Sequence, residues 1–133
     1  MTISKEDCMA SGCVDYFPNA LAAVGRHSRY GNEKHNPGEA LHWAFDKSTA
    51  HADAVLSHFA QRNKIDPKSD EDYDVGALWR MLALVETRLI KAGARPGRAV
   101  VRHLVHDEVE VTWETADPEE RHERFFDGEV SNG

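Results

Sequence analysis

Residues 70–92 read DEDYDVGALWRMLALVETRLIKA, and the spacing of their apolar positions decides the fold class. Val75, Leu78, Leu82, Val85 and Leu89 recur at intervals of three and four, the period of a helix with one apolar seam. Asp70, Glu71, Asp72 and Asp74 crowd its start, where a helix N-terminus favours negative charge, and Ser69 with Asp72 has the spacing of a capping box. Gly93 and Pro96 end it. The spacing predicts a helix over about 70–92, the longest of the chain.

Two shorter helices are expected upstream. Phe17-Pro18 opens the first, since proline suits a first helical turn, and Ala20, Leu21, Ala23 and Val24 continue it until Gly31 stops it. Ser48 or Thr49 can cap the second, over about 50–61, in which Val55, Leu56 and Phe59 with small Ala52 and Ala60 form the expected buried stripe. Residues 32–45 read as a loop through their Asn36-Pro37-Gly38 turn chemistry, with Leu41, Trp43 and Phe45 plugging the core. After Pro96-Gly97 the period drops to two: Val109, Val111 and Trp113 alternate with Glu108, Glu110 and Thr112, a half-exposed strand that can pair with 99–105. The expected architecture is an all-α core with a small C-terminal β-hairpin extension and an acidic tail. Its segments are a flexible lead at 1–15, a helical body at 16–93, the hairpin at 94–116 and the tail at 117–133.

The chain of 133 residues suits a single hydrophobic core. Its net charge of −7 is concentrated: from Asp107 onward ten acids face only Arg121 and Arg124, while the residues before carry 14 Lys/Arg against 13 Asp/Glu. The body is near neutral and can accept an anion, and the tail makes the protein acidic. No concentrated basic face speaks for nucleic acid. No apolar run is long enough for a membrane span, and the N-terminus has no signal-peptide character, so the cytoplasm is the expected compartment. Cys8 and Cys13 read as free thiols.

Chemistry concentrates between Tyr30 and His58, which hold four of the eight histidines. His51 and His58 are seven apart, on one helix face but about 10.5 Å apart along the axis at a rise of ~1.5 Å per residue. They cannot share one ion unaided, and Asp53 points off their face. A metal site must therefore be assembled between elements, with Asp53, Asp66 and the Asp70, Asp72 and Asp74 group as oxygen donors suited to Mg²⁺ or Mn²⁺. Lys34 and Lys47, with Arg26 and Arg29, are candidate phosphate clamps, each also an ordinary solvated charge. Trp43 and Tyr30 can stack on a base, a role that core packing competes for at Trp43.

Several strings carry a family resemblance. Tyr16-Phe17-Pro18, the run Tyr30-Gly31-Asn32-Glu33-Lys34-His35-Asn36-Pro37-Gly38, Leu41-His42-Trp43, Lys47-Ser48, His51-Ala52-Asp53, His58, Asp66 and Trp79-Arg80 with Leu82-Ala83-Leu84 resemble the phage dATP/dGTP diphosphohydrolase family. That family is itself similar to the all-helical MazG-like nucleotide pyrophosphohydrolases. The resemblance covers about residues 16–89. It implies a MazG-like bundle, a homo-oligomer, and metal-dependent hydrolysis of a purine deoxynucleoside triphosphate to the monophosphate and pyrophosphate with Mg²⁺ or Mn²⁺. On this reading Glu33 or His58 is the catalytic base, Asp53, Asp66, His51 and Asp74 are metal ligands, and Lys34, His35, Asn36, Trp43, Lys47 and Arg80 hold the substrate. One departure stands out: Tyr73 occupies the position of a family His six residues before Trp79, and Gly76 that of a Lys or His. Either Asp72 or Asp74 replaces the lost ligand, or the activity is altered, leaving a noncatalytic nucleotide-binding or regulatory protein as the alternative.

Overall fold

The computed structural model describes residues 3–103. The structure is mostly helical with a small sheet component, as the periodicity implies. Three α-helices form the body: α1 over Pro18–His35, α2 over His51–Ala60 and α3 over Tyr73–Lys91. The lead segment carries short helical turns at Lys5–Asp7 and Ala10–Val14, and both cysteines are free. Among the described residues no helix is long and apolar enough to cross a membrane.

Helix α1 does not stop at Gly31 but runs a further turn. A lone helical glycine costs only about 1 kcal/mol, and hydrogen bonds of Asn32 outweigh it. The buried Asn32 amide donates to the Glu39 carbonyl at 2.9 Å, and its oxygen accepts from the Asn36 side chain at 3.2 Å. The Asn36 N–H closes the last turn on the Asn32 carbonyl at 2.7 Å. The helix end is thereby stitched to the loop that follows.

That loop contains a strand absent from the sequence expectation. Trp43–Ala44 (β1) pairs in parallel with Val100–Val101 (β4), and the Trp43 and Phe45 N–H groups donate to the Ala99 and Val101 carbonyls. The alternation of Leu41, Trp43 and Phe45 is its signal. Phe45, 1% exposed, and Ile90 of α3 form the core, with Trp43 and Val100 packed against them. The expected partner strand at Val109, Val111 and Trp113 lies outside the described residues, as does the acidic tail.

The polar connection before α3 is a second miniature sheet. Ile65–Asp66 (β2) and Glu71–Asp72 (β3) pair antiparallel, with Asp70 at φ 58° in the turn between them. The Asp66 carboxylate accepts the Lys68 N–H at 2.9 Å, and Ser69 lies inside this hairpin, so the expected capping box does not form. Helix α3 starts at Tyr73, behind a hairpin that supplies its own turn chemistry.

Helices α2 and α3 run antiparallel, since His51 meets Arg80 while His58 meets Tyr73 and Gly76. The face of α2 turned inward is not the expected stripe. His51 is buried, with Ala54, Val55 and His58 partly so, whereas Leu56 and Phe59 stay exposed. On α3 the small residues Gly76, Ala77 and Ala83 are buried, and the seam residues Leu78, Leu82, Val85 and Leu89 remain 39–45% exposed. Close helix approach favours small residues at the contact, which leaves the larger ones facing out.

Candidate functional site

A cleft of about 890 Å³ opens between α1, the β1 loop, the start of α2, the middle of α3 and the segment around β4. One face of α1 supplies His27, Ser28, Asn32 and His35, which lie at the three- and four-residue spacing of a single helical stripe. The opposite side comes from Lys47, Ser48, His51, Trp79 and Arg80. Residues 97–103 close one edge, because β1–β4 pairing holds them there. An Asp46 carboxylate anchors this edge, 3.6 Å from Arg102 Nε and accepting the His103 N–H at 2.6 Å. Burial raises the pKa of Asp46, while the His103 N–H and the Arg102 charge pull it back.

The cleft is positively charged and aromatic. Lys47, Arg80, Arg98 and Arg102 line it, and among the described residues no Asp or Glu does. Arg102 has Asp46 beside it, but no carboxylate among the described residues pairs with Lys47, Arg80 or Arg98. Arg80 donates instead to the Ser48 hydroxyl at 3.3 Å and to His51 Nδ1 at 3.2 Å. Burial lowers its pKa from the ordinary arginine value, yet so basic a group keeps its proton. Partial burial and then the charges of Lys47, Lys34 and Arg80 lower the pKa of His35. That the cations act on His35 in concert marks a local excess of positive charge.

Burial first and the Arg80 charge second lower the pKa of His51. Because Nδ1 accepts from Arg80, the ring proton sits on Nε2, which is buried and has no hydrogen-bond partner among the described residues. Trp79 and Trp43 meet edge to face at 5.8 Å, and Trp79 Nε1 donates to Ser28 Oγ at 2.8 Å. His27 Nδ1 lies 2.8 Å from the Glu71 carboxylate of β3, which ties the hairpin to this rim. Trp43 therefore does both jobs set against each other in the sequence: it packs on Phe45 and it lines the cleft.

The residues predicted to hold substrate largely converge. His35, Asn36, Trp43, Lys47 and Arg80 all line the cleft, as does His51. Lys34 is exposed one residue from the lining stripe and acts on His35 through its charge. Arg26 and Arg29 are exposed and outside the lining.

The residues predicted for catalysis and metal do not converge. Glu33 and Asp53 are exposed and do not line the cleft. Asp66 serves its hairpin turn, and Asp74 accepts the Asn63 N–H at 3.1 Å. His58 lies between α2 and α3, its ring 5.9 Å from Tyr73 and directly over Gly76, and its Nδ1 is buried with no partner among the described residues. Tyr73 and Gly76 thus both touch His58. Among the described residues no group of three or more His, Cys, Asp or Glu side chains is placed to hold a metal ion. The donors named from sequence do not fit a protein-built Mg²⁺ or Mn²⁺ site.

Arg98 and Arg102 went unnoticed in the sequence. They reach the cleft only through parallel pairing of segments more than fifty residues apart. No family model, curated protein or solved structure matches the chain.

Proposed function

We propose that the chain is a nucleotide-binding protein whose cleft takes a purine deoxynucleoside triphosphate, such as dATP or dGTP, by its polyphosphate. The observation that carries this reading is the cationic group of Lys47, Arg80 and Arg98 on a cleft that no carboxylate lines among the described residues. Charge-assisted hydrogen bonds from guanidinium and ammonium groups to phosphate oxygens are the strong ones, and Arg80 comes preset by Ser48 and His51. The exposed parts of the Trp43 and Trp79 wall offer an apolar surface to the base. Full-length protein titrated without metal should bind dATP and dGTP saturably and deoxyadenosine far more weakly. Equal binding of nucleoside and triphosphate overturns the reading.

Hydrolysis to monophosphate and pyrophosphate is the second reading, favoured by His35. Its imidazole lines the cleft beside the cations that hold phosphate, and partial burial and then those charges lower its pKa, which leaves a ring nitrogen free to accept a proton from water. Among the described residues the cleft offers no carboxylate, so a Mg²⁺ or Mn²⁺ ion there would be carried by the substrate phosphates. Incubation of each dNTP with either cation, followed by product identification, decides it: pyrophosphate release supports hydrolysis, and intact triphosphate leaves a binding protein. The half-exposed seam of Leu78, Leu82, Val85 and Leu89 favours a homo-oligomer, and the chain is best sought in the cytoplasm, where dNTPs occur.

A further inference from the structure

Hydrogen bonds at the start of α2 fix the polarity of one corner of the cleft. Arg80 Nη1 donates to Ser48 Oγ at 3.3 Å and to His51 Nδ1 at 3.2 Å, and the Ala50 N–H also donates to Ser48 Oγ, at 3.3 Å. A hydroxyl oxygen accepts two hydrogen bonds and a neutral imidazole one, so these contacts use up the acceptors of both side chains. What remains is donors only: the Ser48 O–H, the His51 Nε2–H and the other guanidinium N–H groups of Arg80. All three residues line the cleft.

Among the described residues this corner is short of an acceptor. His51 is 4% exposed, and its Nε2 is buried without a hydrogen-bond partner. The rings beside it, Trp43 at 6.3 Å and Trp79 at 6.5 Å, carry a donor and no acceptor nitrogen. A donor buried unpaired is costly, so the imidazole calls for an acceptor from a ligand. His51 is also the first residue of α2, and the Ala50 cap has no side-chain oxygen to offer the helix. The N–H groups of His51, Ala52 and Asp53 are therefore left without a helical acceptor at the same place.

We propose that this corner is a seat for a proton-free tetrahedral oxyanion, held by Ser48, His51, Arg80 and the first N–H groups of α2. A protonated ligand oxygen would set donor against donor here. The seat thus takes sulfate, or a phosphate of an anhydride chain, whose oxygens carry no proton. The positive end of the helix and the Arg80 charge act in the same sense. For its natural ligand the seat rests on the polyphosphate reading; for its existence it does not.

Amide NMR titrations of the full chain with sodium sulfate, tripolyphosphate and dATP, against sodium chloride at matched ionic strength, test this. The amide signals of His51, Ala52 and Asp53 should shift saturably with sulfate and tripolyphosphate and stay still with chloride. Ser48→Ala should weaken both anions about tenfold, the worth of a hydrogen bond to a charged group, and Ser48→Thr, which keeps the hydroxyl, should recover most of that loss. Signals of residues 51–53 that no anion moves, or equal affinity in wild type and Ser48→Ala, overturn the proposal. The wild-type titration decides it even where the alanine variant fails to fold. Sulfate shifting these signals while dATP binds nowhere strikes the nucleotide reading and keeps the seat. Binding of dATP with these signals unmoved does the reverse.

Discussion

Gly76→Ala should destabilise the protein, although the same change in an exposed helix stabilises. A Cβ built at Gly76 collides with the His58 imidazole, meeting Nδ1 at closest approach and Cε1 at 2.7 Å. Gly76 is buried in α3, and the ring it faces is backed by Tyr73 at 5.9 Å, so the imidazole has little room to retreat. Alanine gains about 1 kcal/mol of helix propensity over glycine. Overpacking costs about 1 to 3 kcal/mol, and with two ring atoms inside contact distance the upper part of that range applies. The net loss is about 1 to 2 kcal/mol, read from urea unfolding midpoints at constant slope. The control is His58→Ala: without the imidazole, Gly76→Ala should stabilise by up to about 1 kcal/mol, because only the propensity gain remains. Stabilisation by Gly76→Ala in the native background, or the same effect in both, refutes the reasoning. Glycine at 76 is what lets His58 lie against α3.

Further outcomes follow from the buried charges and the open seam. His51 and His35 both have folded pKa values below the ordinary 6.5, so above that value neither state is protonated and nothing is lost. As pH falls through it the unfolded chain takes protons that the folded chain resists, and stability drops until the folded values are passed. Unfolding midpoints should therefore fall as pH drops below about 7, and His51→Asn should flatten that fall; an unchanged slope contradicts the assignment. Asp46→Ala removes the carboxylate from a buried guanidinium and frees the β4 edge, at a cost of about 3 kcal/mol, whereas Asp46→Asn keeps the His103 contact and costs less. Both are read from urea midpoints. Leu82→Glu with Val85→Glu should convert an oligomer to a 14.9 kDa species in sedimentation, and a wild-type chain already at that mass counts against the oligomer.

The helices were legible because their apolar periods are local. What the sequence could not rank was tertiary competition. Gly31 reads as a stop, but the Asn32 side chain bonds forward to the Glu39 carbonyl and extends the helix past it. Val55, Leu56 and Phe59 read as the buried face of α2, yet the face that packs on α3 is set by His51 and His58, whose partners Arg80 and Gly76 lie more than fifteen residues away. Of the site, Lys47, His35 and Arg80 were legible because their residue types carry a charge argument on their own. Arg98 and Arg102 were not, because parallel strand pairing leaves no local signature. The carboxylates were overread for a physical reason: acids near turns and helix starts find backbone N–H partners, as Asp66 and Asp74 do.

The central claim is that uncompensated cations in this cleft bind polyphosphate, and calorimetric titration of dATP without metal into wild type, Lys47→Gln and Arg80→Gln tests it most directly. Lys47 is exposed and bears no carboxylate partner among the described residues, so its change leaves the fold intact. A charged hydrogen bond to phosphate is worth about 1.5 to 3 kcal/mol, so each variant should bind about tenfold more weakly or worse. The wild-type affinity should also fall steadily with salt. Three equal affinities, insensitive to salt, would contradict the account.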